Sequence, residues 1–376
     1  MPFVALAYIS LFVLGLSDNI RGPTFPDLIQ FYALSDFSSS FFFSSACVAG
    51  VFGSLLAPWS VQRFGEIFTL RATHALMAAS QLGFYFSNDF SVVLGWAGLF
   101  GFSLAMMGVC ENSLVLHYAP AKKVQRFQAA LHSMYGLSSF VAPLLVTVVY
   151  QQQKNWARPH LVVSLIGILF TAVLFFVREK RMKGSVAPAN QNAKGVKAEG
   201  LYFGLALAMY VGAELLISTR LALYSQRQWG ADFQQANLYV SAFFLFLLLG
   251  RVSFIFWQPA VRVKTSILCC LVLSLMALLS GFAGWSWGFS LSALFMAPFY
   301  PLMMTSAGKM FPQDIYQVAA YAVSLSNVVV LLMHAAFGKL SDSFGIQTAM
   351  WGAVLLILIS ILLILIHPLV FKRSYP

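Results

Sequence analysis

The chain has 376 residues, of which 60% are hydrophobic and only 9% charged, against about 25% charged in a soluble domain. A mean hydropathy of +0.79 excludes an ordinary soluble globule and points to a polytopic membrane protein. The net charge of +11 does not mark a nucleic-acid surface, because the basic residues fall between apolar runs, where loop topology accounts for them.

A helix needs about 20 residues to cross roughly 30 Å of hydrocarbon. On that measure twelve spans are expected, at about 3–30, 38–60, 66–87, 90–118, 127–150, 159–178, 200–225, 234–257, 265–283, 287–309, 315–338 and 346–367. The first run reads as a spanning helix rather than a leader, since no small-residue cleavage site follows it. Within it, "LGLSDNIRGPTFPDL" (Leu14–Leu28) places Asp18, Asn19 and Arg21 in an apolar stretch and follows them with Gly22, Pro23 and Pro26. Proline removes a backbone donor and crowds the preceding turn, so a bend or break is expected there. In a bilayer that is tolerable where the freed backbone lines a cavity.

The connections are short except for Arg178–Gly200, which is basic and rich in Gly, Ala and Asn. It divides the chain into an N-terminal six-helix bundle (1–178), a linker (179–199) and a C-terminal six-helix bundle (200–376). With the N-terminus in the cytoplasm, sixteen of the 23 Lys and Arg residues fall on inner loops and the tail. Four (Lys154, Arg158, Arg227 and Lys339) fall outside, and Arg21, Arg220 and Arg251 lie within spans. This positive-inside bias puts both termini and the linker in the cytoplasm. The halves also echo each other: Asp18 aligns with Glu214 and Gly53 with Gly250 at nearly one offset. Two such halves are the plan of many secondary transporters, with the site near the midplane.

Of the twelve acids, Asp18, Glu111 and Glu214 are deep inside spans. An ionised carboxylate is disfavoured in apolar surroundings, so each is a candidate proton carrier or one half of an ion pair. Asp18 has Arg21 three residues on, and such neighbours share a helix face; a permanent pair would keep Asp18 charged. Glu111 has no basic residue at helical spacing. Arg21 either neutralises Asp18 or offers its planar fork of donors to an anionic or hydroxyl-rich substrate. Arg220 and Arg251 are expected nearer span ends, where they snorkel or brace loops. His132 and His334 occupy matching spans, as packing residues or proton relays. Tyr135, Tyr210, Phe299, Tyr300 and Trp96 are available to stack on a sugar ring, and Asn19, Asn112 and Asn327 to bond its hydroxyls. The four cysteines all sit in apolar runs without metal-ligand spacing, and no cofactor or metal site is expected.

Twelve spans in two halves resemble the major facilitator superfamily. "GVCENSLV" (Gly108–Val115), "AALHSMYGLSSFVAPLL" (Ala129–Leu145), "MYVGAELLISTRLALY" (Met209–Tyr224), "FFLFLLLGR" (Phe243–Arg251) and "APFYPLMMTSAGKMFP" (Ala297–Pro312) together resemble its fucose/glucose/galactose permease branch. In that branch an acid in span 1 and a Glu in span 4 are implicated in proton coupling and sugar binding; Asp18 and Glu111 match them, and Glu214 matches a recurrent Glu in span 7. The superfamily's loop 2–3 signature is degraded to "PWSVQRFGE": Arg63 and Gly65 remain, Gln62 replaces an Asp and Glu66 a basic residue. "GKLSDSFG" (Gly338–Gly345) repeats its acidic half on the outer face. Ala142 and Pro143 are followed by leucines rather than glycines, which argues against an efflux antiporter.

The resemblance implies an all-α membrane protein that imports a sugar or similar hydroxylated solute with protons, by alternating access, as a monomer in the cytoplasmic membrane. Proton coupling is expected at Glu111, Asp18 and His132. Substrate contacts are expected from Asn19, Arg21, Asn112, Tyr135, Glu214, Tyr300 and Asn327. The rival readings are an exporter of amphipathic compounds, an organic-anion carrier using Arg21, and a non-transporting sensor. The sequence carries no phosphate loop, nucleophile elbow or metal cluster, so no enzyme is expected.

Overall fold

Apolar runs of this length cannot leave backbone groups unsatisfied in a bilayer, and a helix satisfies all of them internally. The computed structural model describes residues 2–120, 123–153, 155–177, 194–256, 262–311 and 314–371. Its regular elements are α1 (Pro2–Asn19), α2 (Arg21–Phe31), α3 (Asp36–Phe64), α4 (Glu66–Phe86), α5 (Phe90–Tyr118), α6 (Val124–Gln153), α7 (Arg158–Phe175), α8 (Lys194–Trp229), α9 (Phe233–Phe256), α10 (Val263–Phe282), α11 (Trp287–Met296), α12 (Phe299–Met310), α13 (Ile315–Phe344) and α14 (Ile346–Phe371). These are the twelve expected spans, with α1 and α2 together forming the first and α11 and α12 the tenth. Among the described residues eleven spans are long and apolar enough to cross a membrane. The remaining helix is α4, 21 residues long, whose apolar run is interrupted by Arg71, Thr73, His74 and Gln81. Most of the expected linker lies outside the described residues, and its last turns (from Lys194) already belong to α8.

Two predicted weak points have different outcomes. Ile20 alone separates α1 from α2 and keeps helical angles (φ −74°, ψ −20°). Pro23 has no N–H for the Asn19 carbonyl, but Ile20 still donates to Leu16 at 3.2 Å and Thr24 to Ile20 at 3.1 Å. The expected break is therefore a local irregularity, and Gly22, Pro23 and Pro26 are buried. In the tenth span the interruption is longer: Ala297 and Pro298 separate α11 from α12, and Pro298 has no N–H to donate back along the helix.

By spatial contacts the chain divides into two compact units, Met1–Lys183 with Asp232–Ser241, and Gly184–Ala231 with Ala242–Pro376. The start of α9 joins the first unit because the Phe233 ring stacks on Tyr150 at 3.7 Å between centroids. It also packs beside a cluster of Leu16, Ile20, Ala142, Val146 and Val163. In each unit a glycine of the second span lets a neighbouring helix approach closely. A Cβ on Gly53 would lie 2.3 Å from the Phe102 carbonyl of α5, and a Cβ on Gly250 would lie 2.3 Å from the Leu294 carbonyl of α11. That second carbonyl is the one Pro298 leaves without its helical donor. So Gly53 and Gly250, aligned in sequence, each seat the second span of a half against the fourth.

The two copies of the loop signature share a turn. Gly65 (φ 94°, ψ 166°) ends α3 and starts α4, and Gly345 (φ 83°, ψ 159°) does the same between α13 and α14. Positive φ at this point is what glycine supplies.

Candidate functional site

The polar residues of α1 are distributed over two levels. At the deeper level of the first run, Arg21 and Asp18 form an ion pair. Tyr135 of α6 donates to the other Asp18 oxygen at 2.6 Å, and Arg21 Nε donates to the Asp18 carbonyl at 3.3 Å. The guanidinium lies 4.5 Å from the Phe100 ring centroid and 5.3 Å from that of Phe43. A delocalised, weakly hydrated cation suits such aromatic flanks. Asn19 donates to the Gly15 carbonyl at 2.8 Å and to Ser139 Oγ at 2.9 Å. Helix α6 reaches this close because Gly15 has no side chain: a Cβ there would meet Ser138 Oγ at 2.0 Å. Thus Tyr135, singled out separately in the sequence, joins Asp18, Asn19 and Arg21 in one cluster.

About two turns nearer the N-terminus, Ser10 donates to Glu111 Oε1 at 2.5 Å and lies 2.7 Å from His74 Nε2. All three residues are fully buried. At 1.5 Å per residue, Ser10 and Asp18 are about 12 Å apart along the helix, so Glu111 and Asp18 occupy separate levels. His74 and Ser10 were not singled out in the sequence. A further link joins the same two helices, since Gln81 Nε2 donates to the Ser17 carbonyl at 2.9 Å. Seven residues separate His74 from Gln81 and Ser10 from Ser17, the spacing of one helix face. Gln81 Oε1 in turn meets His160 Nδ1 at 2.6 Å, and His160 Nε2 meets Thr24 Oγ1 at 3.1 Å.

The remaining candidates are dispersed. Asn112 folds its amide back on the Gly108 carbonyl at 2.7 Å. His132 is exposed, and the histidine beside Glu111 is His74. In the second unit Glu214 pairs with Arg251 at 3.7 Å. Tyr210 donates to the Met296 carbonyl at 2.7 Å and stacks on Phe299 at 4.2 Å, so it braces the interrupted tenth span. Tyr300 is exposed and Asn327 half-buried. Arg220, expected near a span end, is instead fully buried, with Nη2 3.3 Å from His334 Nδ1 and its guanidinium 4.9 Å from the Phe337 centroid. At the degraded signature, Glu66 takes up His117 Nδ1 at 2.6 Å and the Ser113 hydroxyl, linking the start of α4 to the end of α5.

The sequence profile of the Major Facilitator Superfamily matches residues 7–228, more than half of the chain. The mouse sodium-dependent glucose transporter 1A is 27% identical over 143 residues, 38% of this chain and 33% of that protein. The chain therefore matches about a third of that relative's length. Among solved structures, a D-xylose–proton symporter superposes with a TM-score of 0.78 at 14% identity, covering 96% of this chain and 95% of the other. A bacterial homologue of the human lysosomal transporter Spinster, inward-facing and occupied, gives 0.77 at 13% identity, covering 99% and 96%. These likenesses establish the fold across nearly the whole chain.

Proposed function

This chain belongs to the Major Facilitator Superfamily, and from that premise we propose that it is a proton-coupled symporter of a sugar or similarly hydroxylated small solute. It would work by alternating access in the cytoplasmic membrane, as a monomer with both termini inside. The observation that carries this reading is Glu111: a carboxyl group at 0% exposure, bonded to one hydroxyl, with no cation paired to it among the described residues. A lone carboxylate in such a place is costly, and a proton removes the cost. Coupling then requires that proton and substrate each raise the affinity for the other. Asp18 already has Arg21 and Tyr135 as partners, which favours a structural role for it and weighs against an organic-anion site built on Arg21. Of the expected substrate contacts, Asn19, Arg21 and Tyr135 share one cluster and are the candidates for the sugar hydroxyls. The sugar class is supported by the glucose-transporter relative and the xylose-symporter fold.

A second reading, sodium coupling, is favoured by the mouse relative's name. Purified protein in vesicles, offered radiolabelled D-glucose, L-fucose or D-xylose under an imposed proton or sodium gradient, separates the two. Accumulation driven by the proton gradient, with acidification of the lumen, is expected. Accumulation driven by sodium alone moves the coupling to that ion. No accumulation of any sugar under either gradient ends the symport reading.

A further inference from the structure

Ser10, His74 and Glu111 come from three helices and meet in one line. Counted from the helix ends that the charge pattern puts inside, each lies about 10–12 Å along its own helix, so α1, α4 and α5 present them at one depth. Phe170 closes edge-on over the His74 ring, 4.8 Å between centroids. A serine hydroxyl has one hydrogen and two lone pairs, so Ser10 cannot donate to both neighbours at once. When it donates to Glu111, it accepts from His74 Nε2–H. When Glu111 is the acid and donates, the Ser10 hydrogen turns to His74, whose Nε2 is then bare and whose hydrogen sits on Nδ1. The outer atoms of the line, Glu111 Oε2 and His74 Nδ1, have no hydrogen-bond partner among the described residues.

We infer that His74 and Ser10 form, with Glu111, a proton relay that charges and discharges the carboxyl group. The inference rests on Glu111 being the proton carrier. In the loading direction a proton from water bonds to His74 Nδ1. The Nε2–H bond breaks as its proton forms an O–H bond to Ser10 Oγ, and the original Ser10 O–H bond breaks as its proton bonds to Glu111 Oε1. One proton has been taken up; Glu111 has gone from carboxylate to acid, His74 is still neutral with its hydrogen moved from Nε2 to Nδ1, and Ser10 has reversed its hydrogen bonds. Discharge through the relay is the same sequence reversed. Ser10 is the switch in the line, and His74 is a proton-transfer group rather than a packing residue.

The experiment is an infrared pH titration of the full chain in lipid. The protonated carboxyl band is assigned by its loss in Glu111→Gln, and the imidazole tautomer bands by nitrogen-15 histidine labelling and their loss in His74→Gln. In the wild type the carboxyl band and the His74 tautomer change should share one midpoint. In Ser10→Ala the carboxyl band should persist while the tautomer no longer follows it. Proton-driven sugar uptake should then fall by about a hundredfold, the low end of what a positioned proton-transfer group contributes. Sugar exchange at equal pH should be retained, and Ser10→Thr should restore uptake. A His74 tautomer that stays constant while Glu111 titrates overturns the relay and leaves Glu111 as carrier. The absence of any Glu111 carboxyl band across the titration overturns the carrier reading itself. The wild-type coincidence of midpoints decides the question even if Ser10→Ala fails to fold.

Discussion

Arg21 pairs with the carboxylate of Asp18, one turn earlier, while Tyr135 donates to the second oxygen of that carboxylate at 2.6 Å. The Arg21 and Asp18 side chains are only 11% and 17% exposed, so a charge that loses its partner has little water to fall back on. Removing one partner of a buried pair costs about 3–5 kcal/mol, mostly from the charge left behind. Asp18→Asn and Arg21→Gln should each destabilise on that scale, and the double variant should recover much of the loss. A double-mutant cycle on thermal or denaturant unfolding measures it. Additive losses would mean that the two side chains do not stabilise each other.

Gly53 and Gly250 should behave alike and unlike Gly95. An alanine methyl at either of the first two meets a neighbouring backbone carbonyl at 2.3 Å, and backbone cannot swing aside as a flexible side chain does. Gly53→Ala and Gly250→Ala should each cost about 1–3 kcal/mol, the range for overpacking. Gly95 sits on the same kind of helix with nothing within 4 Å. Gly95→Ala should be neutral or stabilising by about 0.4–1 kcal/mol, through the unfolded chain. Melting temperatures of the three variants test the contrast; equal losses at all three positions would show that helical context, not the carbonyl contact, sets the effect.

Hydropathy alone made the helices legible, because a bilayer demands about 20 apolar residues per crossing and little else. The Asp18–Arg21 pair was legible too, since both partners lie on one helix at i,i+3. What could not be read was His74 beside Glu111. Spacing along α5 reports only on α5, whereas Glu111 is bonded by Ser10 of α1, which in turn meets His74 of α4. A signal was present in α4, where His74 and Gln81 place polar groups seven residues apart in an otherwise apolar stretch. The Arg220 expectation failed for a related reason: distance from a helix end does not say which side chains cover it, here His334 and Phe337.

Asp89 caps α5 outside the hydrocarbon, accepting from the Ser91 N–H at 2.7 Å and its hydroxyl at 2.6 Å. These two bonds hold its carboxyl below the ordinary carboxylate value. A depressed folded-state value means that the cap stabilises at neutral pH. The contribution begins to fade as the pH falls past the unfolded value, about 3.9, and is lost below the folded one. Asp89→Ala should therefore lower the melting temperature at pH 7 and converge on the wild type in acid, while Asp89→Asn should lose less at neutral pH because it still accepts. An Asp89→Ala deficit that is constant with pH would show that the charge plays no part.

The charge pattern puts the turns holding Asn88 and Asn155 outside and the exposed Arg63 inside. In a cysteine-free background, Asn88→Cys and Asn155→Cys should react with an impermeant maleimide on intact cells. Arg63→Cys should react only after permeabilisation. Labelling of Arg63→Cys on intact cells would invert the orientation and with it the direction of every coupled step.

Glu111→Gln separates binding from coupling. Glutamine keeps the size of the acid, and its amide N–H can donate to Ser10 as the protonated Glu111 does. It is neutral at every pH, so it imitates the proton-loaded carrier permanently. A loaded carrier still binds substrate and still changes the side it faces. Exchange of labelled for unlabelled sugar across the vesicle membrane needs no proton release and should survive near the wild-type rate. Net accumulation against a gradient requires the proton to leave on the inside, and should be abolished, together with lumenal acidification. Asp18→Asn provides the contrast: its partners are Arg21 and Tyr135, so it should lose stability and exchange together rather than coupling alone. Were Glu111→Gln to concentrate sugar as well as the wild type, the carrier would have to be sought elsewhere, and the exposed His132 or the paired Asp18 would be next to test.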